Sequence, residues 1–181
     1  MKIAKRLVAL LLVLTTVVSA RKRDPLTEAE ADQLREVRLE PYRRLKLFIK
    51  FTQGRFDSID QLRADPKQAD GRGKQVHNLL EDITALLDEI NANLDTYAGE
   101  KMEKSTHKEF IKGLREVMQA CQTWDTKLKA LKPSEEGDAQ TRREFQDYMF
   151  VLQDTQDALA STADIARQYA EESDADKPKK K

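Results

Sequence analysis

The chain has 181 residues, and its 32 basic and 32 acidic side chains cancel. Nucleic-acid-binding domains carry a basic excess, and exported disulfide scaffolds carry an even set of cysteines. The balanced charge and the single Cys121 disfavour both, while six glycines, five prolines and 35% charged residues favour long helices.

Residues 1–20 read as a secretory signal peptide. Lys2, Lys5 and Arg6 give a positive start, Leu7 to Val18 form an apolar run, and Val18-Ser19-Ala20 is a small-residue cleavage site. As a helix the run spans about 18 Å, short of a hydrocarbon core of about 30 Å. Cleavage near Ala20 and a periplasmic or secreted location are expected. No Cys follows the site, which disfavours a lipoprotein. Arg21, Lys22 and Arg23 stand directly after it and oppose translocation, so retention as an N-terminal anchor is the alternative. Cleavage removes three basic residues and no acid, leaving twenty-nine basic against thirty-two acidic. The remaining roughly 160 residues suit one domain with one core.

Residues 21–26 form the mature N-terminal segment, and 27–172 the helical domain. Thr27 and Glu30 have capping-box spacing. They begin a short helix that ends near Leu39, because Pro41 disfavours helical geometry at Glu40. This short helix is expected to pack across one end or to continue the second helix beyond a kink. The second helix runs from Pro41 to Ala64, with Leu45, Phe48, Thr52, Phe56, Ile59 and Leu62 on one face. Asp65-Pro66 stops it, and 66–73 reads as a polar loop.

The third helix extends from about Gly73 to Met102. Val76, Leu80, Ile83, Leu87, Ile90, Leu94 and Tyr97 form a heptad seam, widened by Leu79 and Leu86. Thr106 and Glu109 repeat the capping-box spacing. The fourth helix carries Phe110, Ile111, Leu114, Met118, Cys121, Trp124, Leu128 and Leu131, and 133–137 end it. The last, about Asp138 to Glu171, carries Phe145, Tyr148, Leu152, Thr155, Leu159, Thr162, Ala166 and Tyr169 on one stripe. The charged tail 173–181 lacks the side chains to pay for order. Four apolar stripes that must leave water predict an all-α fold, an antiparallel up-down four-helix bundle with a short extra N-terminal helix.

Di-iron bundles need Glu-x-x-His pairs, and neither His77 nor His107 has Glu three residues earlier. His77 and Glu81 share a face but are too few for a tight metal site. His77 or His107 with Met102, Met118 or Met149 gives the His/Met ligand types by which the exported cytochrome b562 family holds haem. The chain resembles that family in architecture and compartment only, without a matching motif. No hydrolase elbow, His-Glu-x-x-His or phosphate loop is present. No catalytic residue, metal ligand or cofactor is therefore assigned. Cys121 and Trp124 sit on the apolar stripe and are expected in the core, with an intermolecular disulfide or reactive thiol the alternative for Cys121.

Two segments read as surfaces. Residues 42–51 are basic and apolar together, with Leu47, Ile49 and Phe51 partly outside the stripe. That second face meets the first helix, another protomer or an anionic membrane. In the last helix Thr155, Thr162 and Ala163 thin the stripe, allowing close helix approach or leaving a groove, while Phe150 and Val151 flank it. The resulting expectation is an exported, non-enzymatic envelope protein with a binding or structural role. Its partners would be an unknown protein or a second copy, with weak membrane-surface contact and no nucleic acid. A haem or metal carrier and a chaperone-like adaptor are the rivals.

Overall fold

The computed structural model describes residues 24–98, 103–134 and 138–175. These form a helical bundle without strands: α1 Glu28–Glu36, α2 Pro41–Ala64, α3 Arg72–Ala98, α4 Lys104–Lys129 and α5 Ala139–Ala175, with one short 3-10 turn at Pro66–Gln68. The expected signal segment, the expected end of the third helix at Met102 and most of the charged tail lie outside the described residues.

Local chemistry sets most helix ends. At α1 the capping box is complete: Thr27 N–H donates to Glu30 Oε2 at 2.8 Å, and Glu30 N–H donates to Thr27 Oγ1 at 3.3 Å. Pro41 opens α2 at its first position. Asp138 starts α5 by accepting the Thr141 N–H at 2.8 Å. The expected second capping box is corrected. Glu103, in extended conformation, precedes α4 without a side-chain cap, and Thr106 lies inside the helix. The helix begins almost a turn early because Lys104 and Ser105 already accept helical geometry, and His107 N–H donates to Glu103 O at 2.9 Å. At the other terminus α5 runs past Glu171 to Ala175. Tyr169 extends its useful length by donating to Asp95 of α3 at 2.7 Å.

The first helix neither packs across one end nor continues α2 beyond a kink; of the expected placements it takes the one against α2. It turns back and lies along α2. Arg44 donates to Leu34 O at 3.3 Å, and eleven residues later Arg55 donates to both Glu30 oxygens at 2.5 and 2.6 Å and to Pro25 O at 2.6 Å. Rising numbers in α1 meet falling numbers in α2, so the two run in opposite senses. The buried Leu34 and two arginine clamps hold this strap.

Each long helix contacts two others. Contacts join α2 with α3, α4 with α5, α2 with α4 and α3 with α5. Within α2 and α3 the register is opposed: Arg44 bonds Asn93 at 2.9 Å, and Arg72 bonds Leu62 O at 3.4 Å. Between α2 and α4 it runs in the same sense. Tyr42 donates to Glu116 at 2.9 Å, Trp124 donates to Gln53 Oε1 at 2.8 Å, and Lys127 lies 3.7 Å from Asp57. The α3/α5 pair shares that same-sense register, through Arg72 with Glu144 at 2.9 Å, Thr84 with Thr155 at 2.9 Å, and Asp95 with Tyr169. A glycine marks each same-sense seam. A Cβ on Gly73 would sit 2.9 Å from Glu144 O, and one on Gly113 would sit 3.1 Å from Leu45. Only glycine lets α3 meet α5 so closely at that level.

The expected stripes fill the core. Leu45, Phe48, Phe56, Ile83, Leu87, Leu114 and Trp124 are fully buried. Trp124 stacks on Phe56 with ring centroids 5.8 Å apart. Phe51, Val117 and Val151 are also buried, so the apolar sectors are wider than a single stripe. Thr52, Thr155 and Thr162 enter the core by donating their hydroxyls to carbonyls four residues back.

Two carboxylates make stability depend on acid. Burial opposes ionisation of Glu30, but Arg55 and the Thr27 N–H outweigh it and hold its pKa below the ordinary 4.5. The Arg72 guanidinium holds Glu144 below 4.5 in the same way. Both groups therefore contribute stability that is present above pH 4.5 and lost as pH falls through their folded values. The free energy of unfolding in urea should stay level near neutral pH and drop below about pH 4.5. E30Q with E144Q should lower it at pH 7 and flatten that acid limb.

Candidate binding surfaces

Net neutrality conceals an uneven distribution of charge. Along their lengths α2 and α4 carry twelve basic and five acidic residues. By contrast α3 and α5 carry five basic and thirteen acidic. After Lys74 no Lys or Arg occurs in α3, and after Arg143 only Arg167 occurs in α5. Because α2 pairs with α4 and α3 with α5, like charge gathers on opposite layers.

The basic layer is strongest where α2 and α4 begin. Arg43, Lys46 and Lys50 follow at spacings of three and four, as do Lys104, Lys108, Lys112 and Arg115, so each set shares one exposed helical face. Neither helix has an acidic residue in its first turn. Tyr42 sits at the seam, with Lys46 Nζ 5.5 Å and Lys112 Nζ 5.2 Å from its ring centroid. The Tyr42 hydroxyl, and then Glu116, hold the Lys112 ammonium above its ordinary pKa. Acids temper the patch: Glu40 pairs with Arg43 at 3.1 Å, Glu116 lies 3.9 Å from Lys112, and Glu109 acts on Lys112 from the cleft it lines with Leu39, Tyr42 and Lys46. Beside it, in the turn before Pro41, Leu39 is 81% exposed. In segment 42–51 Leu45, Phe48 and Phe51 are buried, Leu47 and Ile49 pack partly against the core, Arg44 turns inward to Leu34 O and Asn93, and Arg43, Lys46 and Lys50 face outward.

The small residues of α5 do both things expected of them. Thr155 approaches α3 and donates to Leu80 O at 3.3 Å. Ala160 and Ala163 leave a 340 Å³ groove against α4, bordered by Met118, Cys121 and Leu159 and lined also by Asp125 and Arg167. A second cleft, of 820 Å³, lies where α2 ends and α3 begins, between Leu62 and Leu79. Phe150 stands 77% exposed and Met149 39% exposed on the outer side of α5.

Cys121 is buried on the groove floor, and burial pushes its thiol up to about 12. It therefore lacks the thiolate that alkylation and exchange require. Trp124 is core, as expected. His77 is on the surface beside Asp147 O at 3.0 Å and Glu81 at 3.6 Å. His107 is exposed in the second turn of α4. Met118 borders the groove at the level of Ala163, sixteen residues along α5 from the level of His77, about 24 Å at 1.5 Å per residue. Met149 faces solvent, and Met102 lies outside the described residues. Among the described residues no His and Met converge on one point of the core, and no three His, Cys, Asp or Glu stand together as metal ligands. None of the described helices is long and apolar enough to cross a membrane.

Comparison with protein-family models, with curated proteins and with solved structures returned no match.

The elevated thiol gives a direct test of the groove floor. At pH 8 iodoacetamide should label Cys121 in the native chain at least about tenfold more slowly than in urea-unfolded chain, where the pKa returns to about 8.5. Equal rates would place the thiol at an open surface.

Proposed function

We propose that the protein is an exported, non-enzymatic helical-bundle protein of the bacterial envelope that acts by binding at its outer faces. In this reading α2 to α5 form an up-down four-helix bundle in which helices adjacent in sequence are antiparallel. The observation that carries the binding role is the division of charge between the α2/α4 and α3/α5 layers. Folding alone has no need of such a division, since interspersed charges would solvate the helices equally well. The polar side chains inside the molecule are engaged in structural tasks. Arg55 clamps α1, Arg72 joins α3 to α5, and the core threonines bond their own helices. The chemistry that remains available is on the surface.

The export reading rests on the positive start, apolar run and small-residue site within residues 1–20. A second reading, a chaperone-like adaptor, is favoured by the exposed Phe150 and Met149 and by the α4/α5 groove. Mass spectrometry of the chain recovered from the envelope of an expressing bacterium tests the main proposal. The expected N-terminus is Arg21. Full-length chain beginning at Met1 and confined to the cytosol would overturn export.

A further inference from the structure

We infer that the basic face at the start of α2 and α4 docks on an anionic lipid bilayer, with Leu39 entering the interface. The inference deepens the binding reading above by naming the partner, and it rests on three features of one end of the molecule. The first is charge complementarity. Seven exposed cations lie on the adjoining outer faces of two neighbouring helices that run in the same sense. Such a face meets an extended negative surface with many charges at once, and each basic side chain near an anionic leaflet adds to the attraction.

The second feature is the apolar element at the patch. A leucine left 81% exposed in a tight turn between two helices gains nothing there from water. At a bilayer it enters the boundary between headgroups and acyl chains, as amphipathic surface elements do. A nucleic acid would use the cations but has no place for the leucine.

The third feature is polarity of the whole particle. The α3/α5 layer is acidic and is repelled by the same surface, so the bundle has one preferred orientation. The ends of α3 and α5 lie at the end where α2 and α4 begin.

Co-sedimentation of the full chain with vesicles tests this. One set contains phosphatidylglycerol and phosphatidylcholine in equal parts, the other phosphatidylcholine alone. The readout is the change in the ratio of the two partition constants on substitution, because the cations Lys2, Lys5, Arg6 and Arg21 to Arg23 favour anionic vesicles equally in every variant. A large ratio is expected at low salt, collapsing at about 0.5 M salt, where screening shortens to about 4 Å. The variant K46Q/K108Q/K112Q should lower anionic partitioning about a hundredfold, at about fivefold per charge. The variant K67Q/K129Q/K132Q, of equal net charge but altered at the opposite end, should bind within a few-fold of the unaltered chain. L39N should weaken anionic binding several-fold without changing its salt dependence. Circular dichroism of each variant confirms that these exposed substitutions leave the helices intact. A ratio near one, equal loss in both triple variants, or binding to a DNA duplex in place of vesicles would each overturn the inference. Full-length chain confined to the cytosol would remove the export reading and leave this result standing.

Discussion

Trp124 ties α4 to α2, and the arrangement of the whole molecule follows from that seam. Its indole is fully buried, stacks on Phe56 and donates to Gln53. A buried indole N–H left without an acceptor costs about 1–3 kcal/mol, and the ring carries a large apolar area. The pair is therefore held to one level of each helix. With α4 beside α2, the other flank of α4 is covered by α5, and α5 closes against α3. The two glycines at the same-sense seams and the Thr84–Thr155 hydroxyl pair are consistent with this order.

The choice of neighbours decides how charge is displayed. Each helix, viewed singly, is an ordinary amphipathic rod. Pairing α2 with α4 sets two basic outer faces side by side, and pairing α3 with α5 does the same for acidic ones. If α4 lay beside α3 instead, positive and negative faces would alternate around the molecule and the surface fields would largely cancel within a Debye length of about 8–10 Å. The strap α1, fixed by Arg44 and Arg55, covers part of α2 and leaves Arg43, Lys46 and Lys50 outward. Packing and surface electrostatics are in this sense one decision.

Much of the helical content was legible in the sequence because it is local. Pro41 and Asp65-Pro66 bracket α2 where expected. The Thr27 and Glu30 side chains cap α1 as their spacing requires, and the seam from Val76 to Tyr97 is buried throughout. What escaped was nonlocal. A three-residue spacing marks a capping box only if a helix starts there, and Thr106 was already inside one. Phe51 and Val151 looked peripheral because a stripe drawn for one contact ignores the second neighbour. Periodicity finds the buried face of a helix without naming the helix that covers it. The basic face was hidden for the same reason: balanced total charge has no direction until the helices are paired. The opposite spacing of outer cations in 43–50 and 104–115 was visible, but nothing local joins those two segments.

The account depends most directly on α2 and α4 being neighbours in the same sense, and native lysines report it. Lys46 and Lys112 both face the Tyr42 ring, at 5.5 and 5.2 Å from its centroid. Treating the monomeric chain with a short amine cross-linker and mapping linked peptides by mass spectrometry should yield Lys46 joined to Lys112. Lys46 joined to Lys127 or Lys129, at the far end of α4, or a reactive Lys46 that never links to α4, would contradict the arrangement on which the charge division is built.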